Sequence, residues 1–268
     1  MERAFRKMHG LGNDFVVFDA RGEPLALTAQ QVRGLADRHT GIGCDQLIVI
    51  EASDRATAAM RIWNADGGEV DACGNAARCV ATLLRSDATI ATAGGVLSAQ
   101  ASASAATVTY PPPEFGWERI PLAFALDTAD VPVGWEPLVH GAAVNVGNPH
   151  IVFFVADADD VPLDRLGPEI ELDALFPERV NVGVAQVVDR AHLRLRVWER
   201  GAGLTRACGT GAMAAAVAAI RRGLTERRVS VDLPGGRLQV EWLPDGRITL
   251  GGPAATSFAG TVDPEAFA

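Results

Sequence analysis

Hydrophobic and polar positions change period several times along the 268 residues. Runs rich in β-branched and aromatic residues at 15–18, 46–50, 151–155 and 181–188 predict short strands. Residues 193–197 alternate apolar and polar side chains, the period of a half-buried strand. Residues 28–38 begin with a threonine cap and continue with apolar residues at helical spacing, so they predict a helix. Two Ala-rich stretches, 75–85 and 211–222, carry arginine in their last turns and predict two more. The apolar run 212–220 within the second leaves no polar face, which implies burial on most sides. Residues 99–106 read as a weak strand and turn, and Pro111-Pro112-Pro113 fits neither a helix interior nor a central strand, so it predicts a linker. The class is α+β.

The pattern repeats. Arg61-Ile62-Trp63 precedes Cys73 as Arg196-Val197-Trp198 precedes Cys208, and Ala72-Cys73-Gly74 matches Ala207-Cys208-Gly209. At the same offset of 135 residues, Gly12-Asn13 falls on Gly147-Asn148, Val16-Val17-Phe18 on Ile151-Val152-Phe153, and Gln46 on Asn181. Gly94-Gly95 aligns with Gly235-Gly236 at an offset of 141, as if six residues were inserted. Three blocks in one register point to two homologous halves. The expected domains are 1–113, with the C-terminal tail 255–268 a candidate to join it, and 114–254.

Composition narrows the function. Net charge is −9, and the only basic clusters are pairs such as Arg221-Arg222 and Arg227-Arg228, so no nucleic-acid partner is expected. The run 212–220 is far shorter than the roughly 20 residues of a membrane span, so none is expected. Charges at Glu2, Arg3, Arg6 and Lys7 do not fit a signal peptide. Four cysteines without an export signal fit a reduced, cytoplasmic setting.

Cys73 and Cys208 stand just before the two Ala-rich helices, each followed by glycine. Unpaired N–H groups and the helix dipole gather at such a point, which lowers a thiol pKa and suits a carboxylate. If the halves face each other, the repeat sets one cysteine on each side of a cleft. A reaction that inverts a carbon needs such a pair: a thiolate takes a proton from one face while a thiol returns one to the other. A structural disulfide is the alternative for this pair, whereas zinc would want closer ligand pairs, so no metal is expected. Cys44 and Cys79 read as buried thiols.

At these residues the chain resembles the diaminopimelate epimerase family of pyridoxal-phosphate-independent amino-acid epimerases. The matching segments are Lys7-Met8-His9-Gly10-Leu11-Gly12-Asn13-Asp14-Phe15, Gly41-Ile42-Gly43-Cys44-Asp45-Gln46, Asn64-Ala65-Asp66-Gly67-Gly68-Glu69-Val70, Cys73-Gly74-Asn75, Gly147-Asn148-Pro149-His150, Pro177-Glu178-Arg179-Val180-Asn181, Glu199-Arg200-Gly201-Ala202-Gly203, Ala207-Cys208-Gly209-Thr210-Gly211 and Asp232-Leu233-Pro234-Gly235-Gly236. The resemblance implies interconversion of LL- and meso-diaminopimelate in lysine and cell-wall precursor synthesis, without cofactor, usually by a homodimer. It implies two pseudo-symmetric domains from an internal duplication, each a curved mixed or antiparallel sheet wrapped around a central helix. It makes Cys73 and Cys208 the acid–base pair, with His150 and Glu199 beside them. Asn13, Gln46, Asn64, Asn148, Asn181 and Arg200 become substrate-binding side chains. Gly74, Asn75, Gly209 and Thr210 become the helix-start groups that take the reacting carboxylate. The chain departs from the family pattern at Ala76, Leu204, Cys44 and Phe258, the last where a tyrosine often serves dimer contacts.

The repeat itself is asymmetric. Asn64 pairs with Glu199, Ala65 with Arg200 and Phe15 with His150, so the second half is charged where the first is neutral. Arg200 could hold a distal carboxylate and Glu199 an ammonium. The ordinary alternatives are a surface ion pair for Arg200, a turn histidine for His150 and turn residues for the asparagines. Another amino-acid racemase on the same scaffold and a non-catalytic amino-acid-binding protein are the competing functions.

Overall fold

The computed structural model describes residues 1–70, 73–85, 87–102 and 104–267. Ala72, which the repeat pairs with Ala207, lies outside the described residues. The chain forms two compact units, residues 1–108 with 251–268, and residues 109–250.

The first unit opens with a hairpin of β1 (Arg3–Gly10) and β2 (Asn13–Asp19). Its two turn residues, Leu11 and Gly12, both have positive φ (58° and 93°), the twist that a two-residue hairpin requires. Helix α1 (Ala29–Ala36) returns the chain so that β3 (Gln46–Glu51) runs parallel to β2. Thr28 and Gln31 form a reciprocal capping box at its start. The helix ends at Ala36 rather than at residue 38, because Asp37 turns extended and its carboxylate accepts the N–H groups of His39 and Thr40. Next come β4 (Ala58–Asn64), β5 (Glu69–Val70), α2 (Gly74–Leu84), β6 (Ala88–Thr92), β7 (Gly95–Ala101) and β8 (Ala105–Tyr110). The C-terminal strand (Ala255–Val262) lies antiparallel to β1. Phe5, Val16, Phe18, Val32, Leu35, Leu47 and Trp63 pack one core, and α2 packs on β1, β6 and β7.

The second unit repeats this order: β9 (Ala142–Asn145), β10 (Pro149–Val155), α3 (Leu163–Glu171), β11 (Asn181–Asp189), β12 (His192–Glu199), β13 (Gly203–Thr205), α4 (Gly209–Arg221), β14 (Arg228–Leu233), β15 (Gly236–Trp242) and the start of β16 (Ile248–Pro253), within which the unit ends at residue 250. Registers repeat as well as order. Phe15 opposes Gln46 across β2 and β3, and His150 opposes Asn181 across β10 and β11. Ile62 opposes Val70, and Val197 opposes Thr205. Beyond the helices the offset becomes 141: Ala88 opposes Ala99 as Val229 opposes Val240. The inserted residues therefore sit at the end of α4, which has 13 residues against 11 in α2, and in the turn that follows. The duplication read from the sequence is the architecture of the chain.

Helix α4 is buried from Gly211 to Ala219 and packs against β9, β10, β11, β12, β14 and β15. Its alanines present no bulk, so strands close around it on several sides. It starts at Gly209, two residues earlier than expected. A first-turn glycine needs no helical partner for its N–H, so low propensity matters little there. The unit boundary at 108/109 falls inside β8, ahead of the proline run, because the extended strand carries the chain onward until Pro111.

Candidate active site

In the first unit Asn75 and Asn13 hang on one hydrogen-bond chain. Cys73, half-buried, is the N-cap residue of α2, with Gly74 and Asn75 in the first turn. Asn75 Nδ2 donates to Asn13 Oδ1 at 3.0 Å, and Asn13 Nδ2 donates to Asp45 Oδ2 at 2.9 Å. Arg78, fully buried, donates from Nη2 to Asn75 Oδ1 at 2.7 Å. Asp45 is anchored in turn by Arg38 at 2.7 Å and by the backbone N–H of Asp14 at 3.1 Å. Arg38 also bridges to Asp14, whose other carboxylate oxygen lies 2.6 Å from Lys7 Nζ. Burial opposes the charged Asp14 carboxylate, but hydrogen bonds from Arg38 and Lys7 outweigh it and hold its pKa well below the usual range. Gln46 Nε2 donates to Asn64 Oδ1 at 2.9 Å across β3 and β4.

In the second unit Cys208 is the N-cap of α4, in extended backbone. Its sulfur accepts from the Gly211 N–H at 3.3 Å and lies 3.5 Å from Thr210 Oγ1. Cys44, Cys79 and Cys208 carry unbridged thiols. The helix start was expected to lower the thiol pKa. In Cys208 the opposite holds: burial raises it well above the ordinary value, and the nearby Glu199 carboxylate adds to the rise. Losing hydration outweighs two hydrogen bonds from a helix start. Burial also pushes Cys44 up to about 11 and Cys79 up to about 12.

His150 is fully buried, and its Nε2 lies 2.9 Å from Asn148 Oδ1. Burial first, and the Arg200 charge second, push its pKa down to about 3, so the ring is neutral. Its Nδ1 has no hydrogen-bond partner among the described residues. An orphaned acceptor costs less than an orphaned N–H, so the proton sits on Nε2 and is donated to Asn148. Asn181 has both ends of its amide committed to backbone: Nδ2 to the Pro149 carbonyl at 2.8 Å and Oδ1 to the Arg200 N–H at 2.9 Å. It braces β10 against the residue that follows β12. Glu199 accepts the Thr205 hydroxyl. Arg200 donates to the Glu178 carbonyl at 3.0 Å and, among the described residues, forms no ion pair. With Asn148, Asn145, Glu178, Glu118 and Arg119 it lines an open cleft of about 340 Å³.

Asn75 and Asn13 are thus joined at the helix start that Cys73 caps, Thr210 and Glu199 lie beside Cys208, and Asn148 and Arg200 share the cleft. Sequence reasoning missed Arg78 and Glu171. Arg78 is the one charge inside the first Ala-rich helix before its last turn, a signal that could have been read. Glu171, 5% exposed, accepts Trp198 Nε1 at 2.7 Å and the Gly201 N–H at 3.0 Å, so it holds the turn that carries Arg200. Nothing in its sequence context marks it. Among the described residues, no cluster of His, Cys, Asp or Glu has the makings of a metal site. Among the same residues, no helix is long and apolar enough to cross a membrane.

The duplicated fold is shared with solved structures of low sequence identity. A phenazine biosynthesis protein of the PhzF family from Enterococcus faecalis has a TM-score of 0.73 at 16% identity, covering 98% of this chain and all of that one. A hydroxyproline epimerase from Agrobacterium vitis has a TM-score of 0.68 at 15% identity, covering 99% and 94%. The fold class is thus that of these duplicated-domain α+β proteins. The diaminopimelate epimerase family model matches residues 5–112 and 142–256. Curated proteins named diaminopimelate epimerase are 60% identical over 264 residues in Erythrobacter litoralis and 58% over 263 in Sphingopyxis alaskensis, each covering 98% of both chains. The chain belongs to the diaminopimelate epimerase family, and it is an isomerase.

Proposed function

We propose that this chain interconverts LL- and meso-diaminopimelate, with Cys73 and Cys208 exchanging the roles of acid and base. One observation carries the reading: two cysteines occupy the N-cap of the equivalent central helix in two repeated units. Epimerisation breaks one Cα–H bond and forms another on the opposite face. A thiolate takes the proton and becomes a thiol. The electron pair passes into the substrate carboxylate as an enediolate, and the second thiol then gives its proton to Cα and becomes the thiolate. The reverse reaction swaps the two. Gly74, Asn75, Gly209 and Thr210 offer helix-start groups to the carboxylate on which charge develops.

Burial and Glu199 favour the thiol form of Cys208 at rest, which suits it to the acid role. Arg200, without an ion-pair partner among the described residues and lining the cleft with Asn148, suits a distal carboxylate, and Glu199 suits an ammonium. Asn13, Gln46, Asn64 and Asn181 complete the polar set. In this reading the enzyme serves lysine and cell-wall precursor synthesis in the cytoplasm as a homodimer. The outward C-terminal strand, with Phe258 51% exposed, supports the last point.

The test is α-proton exchange followed by NMR in deuterated water, with reduced protein and LL-diaminopimelate. Wild type should exchange and convert, and Cys73→Ala and Cys208→Ala should each lose about 10³-fold or more in conversion. No exchange in wild type, with turnover of another amino acid from a panel, would overturn the substrate assignment. Full activity in either variant would overturn the two-cysteine assignment.

A further inference from the structure

We infer that Arg78 is a positioning residue: its guanidinium fixes which way round the Asn75 amide sits and, through Asn75, the amide of Asn13. The inference rests on the reading above that these two asparagines bind substrate.

Asparagine is ambivalent, with a donor and an acceptor end of nearly equal shape. The groups at the two ends of this chain are not. Arg78 only donates, so the Asn75 atom 2.7 Å from Nη2 must be the oxygen. Asn75 then turns its Nδ2 to Asn13, whose facing atom at 3.0 Å must be Oδ1. Asn13 in turn points Nδ2 at Asp45 Oδ2, a carboxylate that only accepts, at 2.9 Å. A donor-only group at one end and an acceptor-only group at the other leave one consistent orientation for both amides between them. Flipping either would set donor against donor at Arg78 or acceptor against acceptor at Asp45.

The surroundings are shaped for this arginine. It is the largest of the fully buried side chains. A Cβ on Gly10 would lie 3.1 Å from Arg78 Nη2 and 3.4 Å from Asn75 Cβ, so a glycine in β1 makes room for both. Packing alone does not demand an arginine here. At the offset of 135, the fully buried Met213 takes the equivalent place in α4. Thr210 stands for Asn75 there, and Val180 for Asp45. The second unit has no such chain, and Asn148, the counterpart of Asn13, is held instead by His150. The two units therefore orient corresponding asparagines by different means, and only the first uses a buried charge.

The test is a double-mutant cycle on kcat/KM for LL-diaminopimelate, with melting temperatures recorded beside it. Arg78→Met, which copies the other helix, should lower kcat/KM about 30-fold in wild type but less than about 3-fold in an Asn75→Ala background, since the two residues act as one unit. Arg78→Lys, still donor-only, should recover all but about 5-fold. Equal losses in both backgrounds would show a packing role and overturn the proposal. A second readout needs no activity: hydrogen exchange of the Asn13 and Asn75 side-chain amides by NMR. Arg78→Met should speed it about 10-fold or more, as expected for a lost buried hydrogen bond. If Arg78→Met does not fold, Arg78→Gln, which can turn either a donor or an acceptor to Asn75, should speed exchange at Asn75 and Asn13. Unchanged exchange in the folded variant overturns the proposal. Accelerated exchange in a protein inert toward diaminopimelate would sink the substrate assignment and leave the role of Arg78 standing.

Discussion

The backbone N–H of Gly211 donates to the sulfur of Cys208 at 3.3 Å, and a Cβ on Gly211 would lie 3.2 Å from that sulfur and 2.8 Å from Val197 Cγ2. A side chain at this position must displace the thiol or the strand beside it. Gly211→Ala should lower kcat by about 10²-fold through misplacement of the sulfur, and lower stability by about 1–3 kcal/mol through overpacking. Kinetics and urea unfolding of the purified variant check both.

Cys208 should resist alkylation at neutral pH, because burial and then Glu199 hold its proton on. Glu199→Gln removes the second cause while keeping the shape of the side chain. The pH midpoint for iodoacetamide labelling of Cys208, followed by mass spectrometry, should therefore move down in Glu199→Gln. An unmoved midpoint would show that Glu199 does not act on the thiol.

His150 gives the fold an acid sensitivity. Buried and neutral, with its pKa near 3, it binds no proton where an unfolded histidine, near 6.5, already does. The unfolded state thus holds more protons between these values, and stability falls as the pH drops from 6.5 toward 3, by up to about 1.4 kcal/mol per pH unit. Urea midpoints between pH 7 and pH 5 should fall for wild type and fall less for His150→Gln.

Glu171 should matter although it lies outside the expected site. Glu171→Ala leaves the Trp198 and Gly201 N–H groups without their acceptor, which should lower stability by about 2 kcal/mol. Because the same turn carries Arg200, KM for substrate should rise more than kcat falls. A variant with unchanged KM would limit Glu171 to a structural role.

The periodicities and the repeat were legible because they are local or carried by sequence spacing. Strands near Phe15, Gln46, Ile151 and Asn181, the capped helix α1 and both Ala-rich helices lie where residue pattern predicts them, within a few positions at their ends. The six-residue insertion at the end of α4 was visible as a change of offset from 135 to 141. Cys73 and Cys208 announced themselves because a cysteine followed by glycine before an Ala-rich run marks a helix start.

The sequence by itself therefore determined the duplication, several of its strands, three of its helices and the two cysteines at helix starts. What it could not determine were the balances struck only when distant residues meet. The helix start predicts a lowered thiol pKa, but the strands packed around α4 bury Cys208 and raise it, since desolvation depends on everything that covers a group. Asn181 matches Gln46 by register, but only folding brings the Pro149 carbonyl and the Arg200 N–H to the two ends of its amide. Arg78, Asn75, Asn13 and Asp45 come from a helix, a hairpin and a loop, and their shared polarity exists only once tertiary structure brings a donor-only group and an acceptor-only group to opposite ends of one chain.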